Sequence, residues 1–159
     1  MATDHQPSQA ENDADLREAS VLVVDDNPHN LELLQAYLED LGCTIRGAAD
    51  GREAIDSVAA STPDLILLDI MMPRMSGYQV CQEVKRSPET RDIPIIMVTA
   101  LNEVGDVERA VDAGADDFLT KPVNKLELLT RVRSLLRVRL LRRELDRTLA
   151  EVKRLRGEQ

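Results

Sequence analysis

The chain has no tryptophan, one phenylalanine and two tyrosines among its 159 residues. Hydrophobic residues make up 43% of it and aromatics only 2%. The core therefore has to be built from Val, Ile, Leu, Ala and Met, and little aromatic surface is left for stacking bases, which argues against recognition of single-stranded nucleic acid. Cysteine is almost missing as well. Cys43 and Cys81 alone are too few for a disulfide framework or a zinc site, and point to a reducing compartment. No apolar run approaches the ~18 residues needed to cross a bilayer, and the N-terminus lacks the basic-then-apolar plan of a signal peptide. A cytoplasmic protein without membrane contact is expected.

Charge is present in quantity but is unevenly spread. Up to Ala19 there are five acids and one base, from Ser20 to Thr130 twenty acids and nine bases, and from Arg131 onward four acids and ten bases. An acidic body repels phosphate backbones, whereas the basic tail could meet them. The length suits one domain with extensions. Residues 1–19 are polar, acidic and aperiodic and are expected to form a disordered lead. Residues 20–137 are expected to form the globular domain, and residues 138–159 a projecting helical tail.

From Val21 onward, short aliphatic runs alternate with amphipathic segments. Val21–Val24, Leu65–Leu68 and Ile95–Val98 are polar only at their C-terminal ends, as expected of strands buried on both faces of a parallel sheet. Thr44–Ala48 and Asp117–Leu119 are weaker strand candidates. Helical spacing appears at Leu31, Leu34, Leu38 and Leu41, at Ala54, Ile55, Val58 and Ala59, and around Val80 and Val84. Gly42 and Gly114 stand where helix C-terminal caps belong, and Gly77 opens a helix after the Pro73 loop. Five such alternations imply an α/β fold, a doubly wound five-stranded parallel sheet in the order 2-1-3-4-5 with five helices. The last helix, Leu126 to Arg156, would be about 46 Å long at 1.5 Å per residue, too long for a body with a radius of gyration near 13 Å. Its second half must project. There Val138, Leu141, Leu145, Thr148, Val152 and Leu155 follow the a/d spacing of a coiled coil, which implies a homodimer through the C-terminal helix.

The acids fall at strand ends. Asp25 and Asp26 follow the first strand and Asp69 the third, and in a doubly wound sheet these strands are neighbours. At ~5 Å and an effective dielectric of about 20, each like-charged pair costs on the order of 3 kcal/mol, so the cluster calls for a cation. An all-oxygen ligand set of this kind suits Mg²⁺ together with a phosphate. Thr99 after the fourth strand and Lys121 after the fifth add a hydroxyl and an ammonium, which makes a phosphoryl site. Taken singly, an Asp-Asp pair is ordinarily a solvated turn, Thr99 a helix cap and Lys121 a surface lysine. Their joint placement on four strand ends reverses that balance. Three methionines, Met71, Met72 and Met75, read as loop packing, not a soft-metal site. His29 reads as solvated, and Cys81 as an inert packing residue.

Four segments carry a resemblance: Val21-Leu-Val-Val-Asp-Asp26, Leu65-Ile-Leu-Leu-Asp69-Ile-Met-Met-Pro73-Arg-Met-Ser-Gly77, Ile95-Ile-Met-Val-Thr99-Ala100 and Gly114-Ala-Asp-Asp-Phe118-Leu-Thr-Lys121-Pro122. In this order they closely resemble the receiver domains of two-component response regulators, over Ser20 to about Val138, and are similar to receivers found upstream of nucleotide cyclase outputs. The resemblance implies that Asp69 is the phosphoacceptor, taking a phosphoryl group from a histidine kinase or histidine phosphotransfer protein. It implies Mg²⁺ held by Asp25, Asp26, Asp69 and the Met71 carbonyl, Lys121 on the phosphate, and a cis Lys121–Pro122 bond. Thr99 and Phe118 would form the switch, Thr99 moving toward the phosphoryl group while Phe118 turns from exposed to buried. Such a protein is not an enzyme beyond its own phosphorylation and dephosphorylation. The switch aromatic here is Phe118 instead of Tyr or His, which removes any role for a polar tip, and Met71 puts a flexible apolar side chain over the phosphate route.

Three other functions compete with a stand-alone receiver that has an unknown downstream target. One is a regulatory module of a larger nucleotide cyclase or phosphatase. Another is DNA binding through the basic tail, disfavoured because the arginines interleave with the heptad. The last is a degenerate receiver that never takes phosphate, against which the intact Asp69 and Lys121 speak.

Overall fold

Alternation of side chains across a pleated strand explains how aliphatic runs end up buried on both faces. A computed structural model describes residues 15–100 and 104–157. Five strands, β1 (Ser20–Val24), β2 (Thr44–Ala48), β3 (Leu65–Asp69), β4 (Ile95–Thr99) and β5 (Asp117–Thr120), form one parallel sheet in the order β2-β1-β3-β4-β5. Its helices are α1 (Pro28–Leu38), α2 (Gly51–Ala60), α3 (Gly77–Arg86), α4 (Val104–Asp112) and α5 (Lys125–Leu155). The expected α/β class, strand order and long final helix all hold.

Leu22, Val24, Ile66, Leu68, Ile95 and Met97 point to one face, where they pack with Ala54 and Val58 of α2, with Val80, Cys81 and Val84 of α3 and with Ala110 of α4. The intervening Val21, Val23, Leu65, Leu67, Ile96 and Val98 point to the other, against Leu34 and Leu38 of α1 and Leu128, Val132 and Leu136 of α5. β3 and β4 are buried along their whole length, while the edge strands β2 and β5 are partly exposed. That is why the edge strands carry the weaker sequence signal.

Local chemistry sets the helix starts. Asn27 caps α1 by accepting from the backbone of His29 and Asn30, Asp50 caps α2, Asn124 caps α5, and Ser76 with Gln79 forms a reciprocal capping box on α3. Gly42 and Gly114 take positive φ just past helical turns, as expected of C-terminal caps.

One boundary differs from expectation. The lead expected to be disordered through residue 19 ends earlier, since Asp15–Glu18 form a 3-10 turn and Leu16 and Ala19 are fully buried in the core beneath α5. A single leucine with no periodic neighbours leaves no pattern in sequence, yet its burial fixes where the ordered chain begins. The rest of that lead, residues 1–14, lies outside the described residues. At the other end, Arg139 and Arg143 still pair with Asp64, so α5 contacts the body beyond residue 137. Past Arg143 the helix is exposed, and so are Val138, Leu141, Leu145, Val152 and Leu155 of the heptad stripe, which begins beside the paired arginines.

Candidate functional site

The neighbouring β1 and β3 lead to helices on opposite faces of the sheet, so their carboxyl ends open a crevice, the position where doubly wound sheets bind ligands. Register matches Val24 to Leu68 and Asp69 to Val98, which brings Asp25 and Asp69 to that edge together. Carboxylate oxygens of Asp25, Asp26 and Asp69 lie within 4.8 Å of one another. Asp25 and Asp69 are buried, and Asp26 is exposed at the rim.

The ammonium expected from sequence faces these acids. Lys121 Nζ lies 3.3 Å from Asp25 Oδ2 and 3.4 Å from Asp69 Oδ1. It is positioned by its own backbone, whose N–H donates to the Thr99 carbonyl at 2.7 Å, and the following Lys121–Pro122 bond is cis. Thr99 itself is buried at the end of β4 and pairs in register with Thr120. Phe118, two residues before Thr120 on β5, is 37% exposed. Met71 is 61% exposed above the crevice, and its N–H points at Asp69 Oδ1 from 3.4 Å. His29 is exposed in the first turn of α1. Cys81 is fully buried, its thiol pushed up to about 11, first by burial and then by Asp116 against the pull of Lys85.

One ammonium does not neutralise three carboxylates. Burial, then repulsion from Asp25, pushes the Asp69 carboxyl from 3.8 up to about 6, against the opposing pull of Lys121. This excess of negative charge, presented entirely by oxygen, fits a hard divalent cation. Asp25 cannot swing away, because its Oδ1 accepts the Asn27 N–H at 2.9 Å.

Two contributors escaped the sequence reading. Asn27 both anchors Asp25 and caps α1, and the Asp25-x-Asn27 spacing of an Asx turn was the available signal. Gly77 does more than open α3. A Cβ there would lie 2.3 Å from the Asp69 backbone oxygen, so only glycine lets α3 start against the acceptor residue. Its N–H donates to the Ile70 carbonyl at 2.9 Å. Nothing in a sequence marks which backbone such a glycine approaches.

The model of the response regulator receiver domain family matches residues 21–133. The chain is 44% identical over 137 residues to the response regulator PleD of Caulobacter vibrioides, covering 86% of this chain and 30% of that protein. It is 43% identical over 117 residues to the DNA-binding dual master transcriptional regulator RpaA of Synechocystis, covering 74% of this chain and 48% of that one. The chain thus spans half or less of the length of these relatives. Among solved structures, the signal receiver domain of a histidine kinase from Syntrophus aciditrophicus superposes with a TM-score of 0.70 at 40% identity, covering 74% of this chain and 89% of that chain. The chemotaxis protein CheY4 of Vibrio cholerae does so with a TM-score of 0.71 at 30% identity, covering 74% and 98%.

Proposed function

Since the chain belongs to the response regulator receiver family of two-component signalling, we propose that it accepts a phosphoryl group on Asp69 from a histidine kinase or histidine phosphotransfer protein. The observation that carries this reading is the buried Asp69 carboxylate with Lys121 Nζ at 3.4 Å and two further carboxylates inside the same crevice. An Asp69 oxygen attacks phosphorus, and the phosphorus–nitrogen bond of the donor imidazole breaks with its electron pair retained by the ring nitrogen. Lys121, freed from shared ion pairing, follows the negative charge onto the phosphoryl oxygens. Asp25, Asp26, Asp69 and the Met71 carbonyl would hold Mg²⁺, which neutralises charge on the transferring group when bound. The hydroxyl of Thr99 then hydrogen-bonds a phosphoryl oxygen, and Phe118 turns from its half-exposed position into the vacated space. The face made by α4, β5 and α5 changes shape in consequence, which alters what it binds. A cytoplasmic setting, and a homodimer through the exposed stripe of α5, belong to the same proposal.

A second reading makes this receiver the regulatory part of a larger protein with an enzymatic output. It is supported by the match to PleD, of which the chain spans 30%. DNA binding by the tail is less well supported, because Arg131, Arg139, Arg143 and Arg154 are engaged by Asp117, Asp64 and Glu151.

Intact mass after incubation with acetyl phosphate and Mg²⁺ tests the acceptor. A single phosphate adduct is expected in the wild type and none in Asp69→Asn. An adduct that survives the substitution places the acceptor elsewhere.

A further inference from the structure

A buried carboxylate far from the crevice holds the tail. Asp64 precedes β3 at the opposite, N-terminal edge of the sheet and is 5% exposed. Its Oδ2 accepts the Ser20 N–H at 2.9 Å, and its own N–H donates to the Ser20 carbonyl at 2.8 Å. These two hydrogen bonds to the start of β1 hold it in place. Its other oxygen, Oδ1, meets Arg143 at 2.7 Å and Arg139 Nε at 3.7 Å. Both arginines come from α5, four residues apart, so one fixed point grips one face of the helix where it leaves the body.

The angular consequence follows from about 100° of rotation per helical residue. Leu128, Val132, Leu136, Arg139 and Arg143 fall in a sector about 80° wide, and the partly buried Leu129, Leu135 and Leu140 widen the face on the body to about 140°. Val138, Leu141, Leu145, Thr148, Val152 and Leu155 fall in a sector about 100° wide, centred nearly opposite. All six are exposed. The stripe overlaps the gripped segment between residues 138 and 143, so that stretch has its own body on one side and an open apolar seam on the other.

We propose that Asp64, through Arg139 and Arg143, fixes α5 where it leaves the body, extending the phase set by Leu128, Val132 and Leu136 into the tail, so that its outer stripe pairs in parallel with the same stripe of a second copy and the two bodies are held outside the seam at a set angle. The inference rests on the dimer named above and adds its geometry. Valine at two of the three a positions and leucine at two of the three d positions favour two parallel strands. In that register Thr148, the polar layer, meets its own copy, whereas an antiparallel pairing of the same stripe sets it against Leu145. Glu151 at g and Arg156 at the following e also meet across a parallel seam. Arg137 and Arg142 approach with like charge at the start of the seam, where solvent screens them. Without the Asp64 grip, the same stripe would still dimerise and Leu128, Val132 and Leu136 would still seat the first turns of α5, but the segment that leaves the body would swing and the angle between the two bodies would spread.

Full-length chains spin-labelled at Arg52→Cys, an exposed position on α2, report the body-to-body distance, since Cys43 and Cys81 are buried. A narrow distance distribution is expected. It is lost to a broad one in Asp64→Asn, which keeps an acceptor for Ser20, and equally in Arg139→Gln/Arg143→Gln, while sedimentation still gives a dimer. An unchanged narrow distribution in a dimeric variant overturns the grip and leaves the dimer standing. Val152→Cys should crosslink to itself, and failure to do so in a dimer overturns the parallel seam. A monomer in the unsubstituted chain overturns the dimer and this inference together.

Discussion

At the scale of single residues, Asp69 sits in conflict with its surroundings. Folding raises its carboxyl from 3.8 to about 6, chiefly by burial and then by the charge of Asp25. A group raised on folding contributes stability that is complete below about 3.8 and is lost as pH rises through about 6. Above that the buried charge is a net cost in the metal-free protein. Asp69→Asn should therefore be more stable than the wild type at pH 7 without metal, by about 1–3 kcal/mol, in urea unfolding. Mg²⁺ should raise the wild-type midpoint and leave that of the variant nearly unchanged. Because attack requires the carboxylate, phosphorylation by acetyl phosphate should also slow about tenfold per unit of pH below about 6 at limiting Mg²⁺. Loss of adduct formation with rising pH over that range would contradict the assignment of Asp69 as the nucleophile. Asp25, Asp26, Asp69, Thr99 and Lys121 were legible in sequence by their places at strand ends. The raised carboxyl was not, because it depends on how deeply Asp69 and Asp25 are buried together.

At the scale of elements, α3 begins where the acceptor strand ends, and Gly77 makes the junction possible. A Cβ at that position would lie 2.3 Å from the Asp69 oxygen and 2.8 Å from the Ile70 Cα. Both are backbone atoms and cannot yield as a flexible side chain does. Gly77→Ala should cost about 1–3 kcal/mol and also slow phosphorylation, by displacing the Asp69 backbone. Stopped-flow phosphorylation beside urea titration separates the two effects. The turn at Asp15–Glu18 makes the complementary case. Leu16 is fully buried, so Leu16→Ala should destabilise the domain by about 2–4 kcal/mol, whereas a leader without structure would leave stability unchanged. Helices with apolar repeats and capping residues announced themselves, since those signals are local. A lone leucine that owes its burial to α5, more than a hundred residues later, could not.

At the scale of the whole molecule, the chain divides into a body and an exported helix, and the border lies at Arg143 instead of residue 137. Cutting after Val138 would remove both arginines and strand Asp64 as a buried charge without its partners. Cutting after Arg143 keeps the ion pairs and discards most of the exposed stripe. The 1–143 chain should therefore fold with wild-type stability within about 0.5 kcal/mol, take up phosphate, and sediment as a monomer. A dimeric 1–143 chain would locate self-association on the body.

The order of strands and helices, the identity of the crevice residues and the existence of a projecting stripe were determined by sequence alone, because each is written in short-range periodicity or in a strand-end position. Tertiary structure decided the rest. It drew Leu16 into the core, set Gly77 against Asp69, raised the Asp69 carboxyl, and clamped α5 through Asp64. All four depend on residues distant in the chain meeting at low exposure. Burial and charge proximity are properties of such meetings, and no local pattern encodes them.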